Sequence, residues 1–315
     1  MNPSRAPGKP SVGPLEQAVA AASEVLLGKE RAVRLAVACI LADGHLLIED
    51  VPGVGKTTLA QVLGAVLGLS MRRIQFTSDL LPADIVGVSI YDRDTGAFRF
   101  NPGPVFAQLV LADEVNRATP KTQSALLEAM EERQVTQDGE SRRLPEPFFV
   151  IATQNPTHQI GTFPLPESQL DRFLMRLELG YPDRAAERAL LRGRDRRELL
   201  ADLAPRVTVD ALRALQQEVP GVGVSEALLD YVQAIIEHTR NAVGLREGLS
   251  PRGGLALLRA AKAWALLHGR DHVVPEDVQA VLPSVVGHRL HPIDEHGPRI
   301  DSASVARLIE RVPIP

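Results

Sequence analysis

The stretch LIEDVPGVGKTTLA, Leu47 to Ala60, decides how the rest of the chain reads. A short apolar run enters a glycine-bearing loop, and a segment with helical apolar spacing leaves it. Strand, loop and helix is the setting in which G-x-x-x-x-G-K-[ST] binds phosphate. The loop departs from that pattern once, because Asp50 stands where the first glycine belongs. Amides that cradle an anion need glycine where φ is positive or the backbone must approach oxygen, and Gly53 and Gly55 meet that need. The first glycine mainly eases the exit from the strand, so Asp50 is tolerable if its carboxylate points away. On this reading Pro52, Gly53, Val54, Gly55, Lys56, Thr57 and Thr58 bind nucleotide, with Lys56 on the β and γ phosphates and Thr57 on magnesium.

Outward from the loop, apolar runs alternate with helical spacings. MRRIQF, QLVLADEVN, PFFVIATQN and FLMRLEL read as further strands, and TPKTQSALLEAMEE reads as a helix capped by Thr119 with Pro120 in its first turn. Such alternation predicts an α/β fold with a mostly parallel five-stranded sheet between helices. Two inserts interrupt it: Val86 to Phe100, with a turn at Asp94–Gly96, and Arg133 to Pro145, with a turn at Asp138–Gly139. Both read as β-hairpins. From Thr208 onward only helical patterns appear. The expected organisation is an N-terminal disordered arm over 1–14, an αβα unit over 15–182, a linker over 183–207 and an all-helical lid over 208–315.

Composition limits the function classes. The 39 acidic and 35 basic residues nearly cancel, so no whole-molecule field favours nucleic acid or an anionic membrane. No stretch reaches the roughly 20 apolar residues that span a bilayer, and the proline-rich start lacks a signal-peptide core. The lone Cys39 suits a reducing compartment. A soluble cytoplasmic protein without nucleic-acid partners is the expectation. The eight histidines are scattered, and the pair His288 and His291 reads as a surface helix.

A second element supports the loop. In LVLADEVN a buried strand delivers Asp113 and Glu114 at its C-terminal end, where ligands bind in open α/β sheets. Asp113 can hold magnesium through water, and Glu114 can orient and deprotonate an attacking water. Asn155 ends another strand, and Arg172 lies on a short helix in LPESQLDRF.

These stretches, with SPRGGLALLRAAKAWALLHGRDHVVPEDV, resemble the MoxR family of AAA+ ATPases from about Leu15 onward. In that family an acid commonly precedes the VPG of the loop. The resemblance implies a P-loop core with a helical lid, and Lys56, Thr57, Asp113 and Glu114 as the ATP and magnesium site. It implies Asn155 as the sensor beside the water or γ-phosphate, Arg172 as a finger entering the neighbouring subunit's site, and Arg252 as a second sensor from the lid. Arg117 is a rival interface arginine. Gly28 falls where relatives line the adenine pocket, with Lys29 where many carry glutamine. The resemblance further implies a homo-oligomer, expected to be a hexameric ring, that remodels, assembles or activates a protein client. A protein with a von Willebrand factor A domain is one such client, and the hairpins would face the pore or the client. The ATPase subunit of a magnesium or cobalt chelatase and a nucleotide-gated scaffold with little turnover are the alternatives. TGAF at Thr95 to Phe98 resembles the activator loop of sigma-54-dependent transcription factors, yet no helix-turn-helix reader accompanies it.

Overall fold

A computed structural model describes residues 12–155, 162–193, 195–293, 302–310 and 312–314. Most of the expected disordered arm, residues 1–11, lies outside the described residues. Gly13 and Pro14 belong instead to the first helix, α1 (Gly13–Val25). Then come α2 (Glu30–Leu41), β1 (Leu46–Glu49), α3 (Lys56–Val66) and β2 (Met71–Gln75). A short α4 (Pro82–Val86) leads into a hairpin of β3 (Gly87–Asp92) and β4 (Ala97–Pro102). After it run β5 (Leu109–Asp113), α5 (Pro120–Glu132), a second hairpin of β6 (Gln134–Gln137) and β7 (Glu140–Arg143), and β8 (Phe149–Gln154). The sheet closes with α6 (Glu167–Leu170) and β9 (Met175–Leu177).

The five long-range strands stand in the order β2-β5-β8-β1-β9, and every neighbouring pair is parallel. Alternation within each strand divides the apolar residues between two faces. Leu46, Ile48, Leu109, Leu111, Phe149 and Ile151 pack with α1, α2 and α3, whereas Leu47, Val110, Ala112, Val150 and Ala152 pack with α5. Each such side chain contributes roughly 1.5–3 kcal/mol on burial. A parallel sheet covered on both faces needs this double set, which is why its strands read as continuous apolar runs.

Local signals fix the ends of these elements. Leu69 N–H donates to Gly64 O at 2.9 Å around Gly68, whose φ of 63° closes α3. Thr119 Oγ1 accepts from Thr122 N to start α5. Asp138 and Gly139, at φ 54° and 80°, form the tight turn of the second hairpin. The hairpins touch each other, with the Arg142 guanidinium 4.1 Å from the Phe100 ring centroid. The first also exposes Ile90, Tyr91 and Phe98.

Beyond β9 the structure differs from the expectation twice. The stretch read as a linker carries α7 (Arg184–Arg192) and α8 (Arg196–Ala201). Its helical spacing is obscured because α7 buries only Ala186 among charged neighbours. The part read as all-helical contains α9 (Val209–Glu218), α10 (Glu226–Arg240), β10 (Leu245–Glu247), α11 (Pro251–Leu267), α12 (Pro275–Val286), β11 (His291–Pro292) and α13 (Ser302–Ile309). Strands β10 and β11 pair antiparallel and are too short to leave a periodic signal.

The helical part shares one apolar cluster with α1, α2 and α3. Polar ties reinforce the joint. Buried Arg289 donates to Asp171 Oδ1 at 2.7 Å, Phe173 O at 2.8 Å and Leu174 O at 3.1 Å. His288, read as a surface residue, is buried instead and donates from Nε2 to Phe173 O at 3.0 Å. His291 pairs with Glu167 at 3.1 Å, so the two histidines are not a ligand pair.

Burial pushes His288 well below the ordinary histidine value and takes His45 down to about 3, where the nearby Arg133 charge adds to the effect. Both stay neutral in the folded protein, while unfolded histidines take protons near pH 6.5. Stability is therefore lost as pH falls below about 6.5, by about 1.4 kcal/mol per unit for each ring, and for His45 the loss ends at its folded value. Urea unfolding is expected to show a loss of about 2–3 kcal/mol between pH 7.5 and 5.5. Equal midpoints at the two pH values would contradict this.

Candidate active site

The loop after β1 adopts the conformation its glycines permit. Gly53 has φ 88° and Gly55 has φ 102°, the latter as N-cap of α3. A Cβ at Gly53 would meet nothing within 4 Å, so the backbone angle, not space, demands glycine there. Pro52 and Gly53 are exposed at the tip, Val54 is buried beneath it, and Thr57 and Thr58 sit half-buried in the first turn of α3. Asp50 turns away from the loop cavity. Its Oδ1 accepts from Val51 N at 2.8 Å and its Oδ2 from Gly180 N at 2.6 Å.

The acids, the lysine and the amide expected at the site converge at the C-terminal ends of β1, β8 and β5. Lys56 Nζ donates to Asp50 O and, at 3.0 Å, to Asn155 Oδ1. Asn155 Nδ2 donates in turn to Glu114 Oε1 at 3.0 Å, so a single amide bridges the lysine and the acid. Burial pushes the Lys56 ammonium below the ordinary lysine value against the opposing pull of Asp50, Asp113, Glu114 and Glu49. Glu114 has φ 57°, a left-handed conformation costing about 1 kcal/mol for a residue other than glycine. Such strain concentrates at working sites.

Thr57 Oγ1 lies 3.5 Å from Asp113 Oδ2. A hydroxyl beside a carboxylate fits magnesium, which prefers few protein ligands and completes its shell with water and phosphate oxygens. Among the described residues no cluster of three or more His, Cys, Asp or Glu could hold a metal unaided, so phosphate would have to supply the remaining ligands.

The arginines occupy different places. Arg172 Nη1 donates to Leu127 O at 2.6 Å in α5. Arg252 pairs with Glu131 at 3.1 Å and with Asp171 at 3.5 Å. Both therefore lie by the C-terminal half of α5, and neither bonds to Lys56, Thr57, Asp113 or Glu114 of its own chain. Arg117 does reach its own site, pairing with Glu114 Oε2 at 3.1 Å. Gly28, at φ 71°, lies so close to α7 that an added Cβ would come within 3.0 Å of Ala186. Lys29 points across to the chain after β9, donating to the carbonyls of Leu179, Gly180 and Tyr181 at 2.6, 2.9 and 2.9 Å.

Known proteins resemble this chain in sequence and in fold. Residues 45–175 match the model of the ATPase family associated with various cellular activities (AAA), and residues 237–312 match an AAA lid domain. Chaperone MoxR1 of Mycobacterium tuberculosis is 41% identical over 287 residues, covering 88% of this chain and 75% of its own. The chain is a member of the MoxR family of AAA+ ATPases. An uncharacterised Bacillus subtilis protein, YeaC, is 48% identical over 280 residues, or 88% of each chain. A crystal structure from Cytophaga hutchinsonii assigned as an ATPase superposes with TM-score 0.87 at 35% identity, covering 96% of both chains.

In this MoxR-family chain the sequence reading missed the residues that hold the acids. Thr153 Oγ1 donates to Asp113 Oδ1 at 2.6 Å and accepts from Glu114 N at 2.9 Å. Arg73 donates to Asp113 Oδ2 at 2.6 and 3.1 Å, and Gln75 to Glu114 Oε2 at 3.3 Å. Thr153 stands two positions before Asn155 on the same strand edge, a signal the spacing offered. Arg73 and Gln75 become site neighbours only once β2 is known to flank β5. Thr153→Val, of equal shape, is expected to lower turnover about 10- to 100-fold, as loss of a supporting hydrogen bond commonly does. Steady-state phosphate release with circular dichroism as the folding control would measure it, and unchanged turnover would contradict the role.

Proposed function

We propose that this protein hydrolyses ATP with magnesium and uses the energy to remodel, assemble or activate a protein partner. The observation carrying the reading is the Asn155 bridge between Lys56 and Glu114, set beside the Thr57 and Asp113 pair at the ends of three adjacent strands. Lys56 exchanges the Asp50 carbonyl for the β and γ phosphate oxygens, and the loop amides of residues 53–57 cradle the chain of phosphates. Asn155 orients the water that Glu114 deprotonates. The water oxygen bonds to the γ phosphorus as the bond to the ADP oxygen breaks, and the proton passes to Glu114. Magnesium, held by Thr57 directly and by Asp113 through water, would neutralise charge on the phosphates.

The same reading makes the site a shared one. Arg172 contacts no group of its own site, which suits a finger that serves a neighbouring subunit in a homo-oligomeric ring, expected to be a hexamer, and Arg252 would act as the second sensor from the lid. Gly28 would border the base. Chaperone is the printed name of the tuberculosis relative, and it favours a protein client here, with a von Willebrand factor A domain protein as one candidate. No helix among the described residues is long and apolar enough to cross a membrane, consistent with work in the cytoplasm.

Phosphate release and titration with a fluorescent ATP analogue test the roles together. Glu114→Gln is expected to bind ATP and lose about 100-fold or more in turnover. Arg172→Ala is expected to bind ATP and lose roughly 10³-fold, as finger arginines do. Lys56→Ala is expected to lose nucleotide affinity. Normal turnover by Lys56→Ala would sink the phosphate-loop reading, and full activity of assembled Arg172→Ala would reject that residue as the finger.

A further inference from the structure

The acid that departs from the common loop pattern is tied to a segment far away in sequence. Asp50 sits at the mouth of the phosphate loop, and its carboxylate accepts from Gly180 N at 2.6 Å. Gly180 belongs to the six-residue crossing, 178–183, by which the chain leaves β9 for α7 and the helical part. Lys29, from the turn between α1 and α2, spends all three ammonium protons on that same crossing, at Leu179 O, Gly180 O and Tyr181 O. Acid and ammonium thus hold opposite polar groups of one short segment, the carboxylate taking its amide and the ammonium its carbonyls.

The fasteners are unusually strong for where they stand. Leu179 is buried in the apolar cluster, whereas Gly180 and Tyr181 are exposed and a Cβ at Gly180 would meet nothing within 4 Å. Beyond Leu179 the crossing is held by these charge-assisted hydrogen bonds in place of packing. The backbone carbonyl of the same Asp50 accepts the Lys56 ammonium. One residue therefore touches both the phosphate-binding lysine and the path to the lid.

We propose that Asp50 and Lys29 are positioning residues that clamp the crossing over 179–181 to the nucleotide site, so that phosphate binding at Lys56 is transmitted to α7 and the lid. The proposal rests on the ATPase reading above. When phosphates draw Lys56 off the Asp50 carbonyl, the mouth of the loop moves with its carboxylate still fastened to Gly180. The crossing follows, and with it α7, whose Ala186 packs on Gly28. A glycine at position 50 would bind phosphate yet leave the crossing free. Glutamine at position 29 could offer only two of the three protons.

Hydrogen–deuterium exchange on the full chain tests the clamp. Asp50→Gly suits the loop, since the common pattern carries glycine there, and Lys29→Met keeps length while removing the donors. Without nucleotide, the amides of 179–181 are expected to exchange about tenfold faster in both variants, with α3 unchanged. Magnesium and ATP are expected to slow exchange of 179–181 in the parent and not in Asp50→Gly. In steady state Asp50→Gly is expected to lose about tenfold in kcat with KM within about threefold, a split that simple destabilisation does not produce. Equal exchange at 179–181 in the parent and both variants, or equal slowing by ATP in the parent and Asp50→Gly, overturns the proposal. A parent that turns over ATP no faster than Glu114→Gln marks failure of the ATPase reading instead, and the nucleotide-free exchange still decides the clamp.

Discussion

Two carboxylates at the end of a fully buried strand set the terms for the rest of the molecule. Asp113 and Glu114 follow four apolar residues of β5, and ionised acids there must find donors or charges close at hand. The strand order supplies them. With β8 on one side, Thr153 and Asn155 reach both acids, and with β2 on the other, Arg73 and Gln75 complete the shell. With β1 beside β8, Lys56 arrives against Asn155. Sheet topology thus brings these polar side chains into one network, the one on which the proposed nucleotide site rests.

The same logic governs the joint between sheet and helical part. Asp171 is shared by buried Arg289 and exposed Arg252, both from the helical part. Arg289 also satisfies backbone carbonyls of the segment entering β9, so the joint combines a continuous apolar cluster with a directional polar lock.

Much of this was legible in the sequence. The five strands, the helices α3 and α5 and both hairpins followed from apolar spacing and turn residues, because each carries its signal locally. Lys56 and Thr57 could be named from the loop motif and Asp113 and Glu114 from the strand that ends on them, whereas the role of Asn155 came only with the family resemblance. What was not legible depends on contacts distant in sequence. Arg73 and Gln75 needed the strand order, the burial of His288 needed the docked helical part, and α7 was obscured by its own charge. Asp50 was read as tolerable in the loop, but its partner Gly180 lies 130 residues further on and nothing in the spacing pointed to it.

The proposed function requires a nucleotide site built from one chain and finished by the next. Mixing subunits tests this most directly: Glu114→Gln and Arg172→Ala proteins, each inactive alone, are unfolded, combined in equal amounts, refolded together and assayed for phosphate release. The account predicts that activity returns in the mixture, since an intact acid from one chain can meet an intact arginine from its neighbour. A mixture as inactive as its two parents, alongside an identically treated and active unmutated protein, would contradict it.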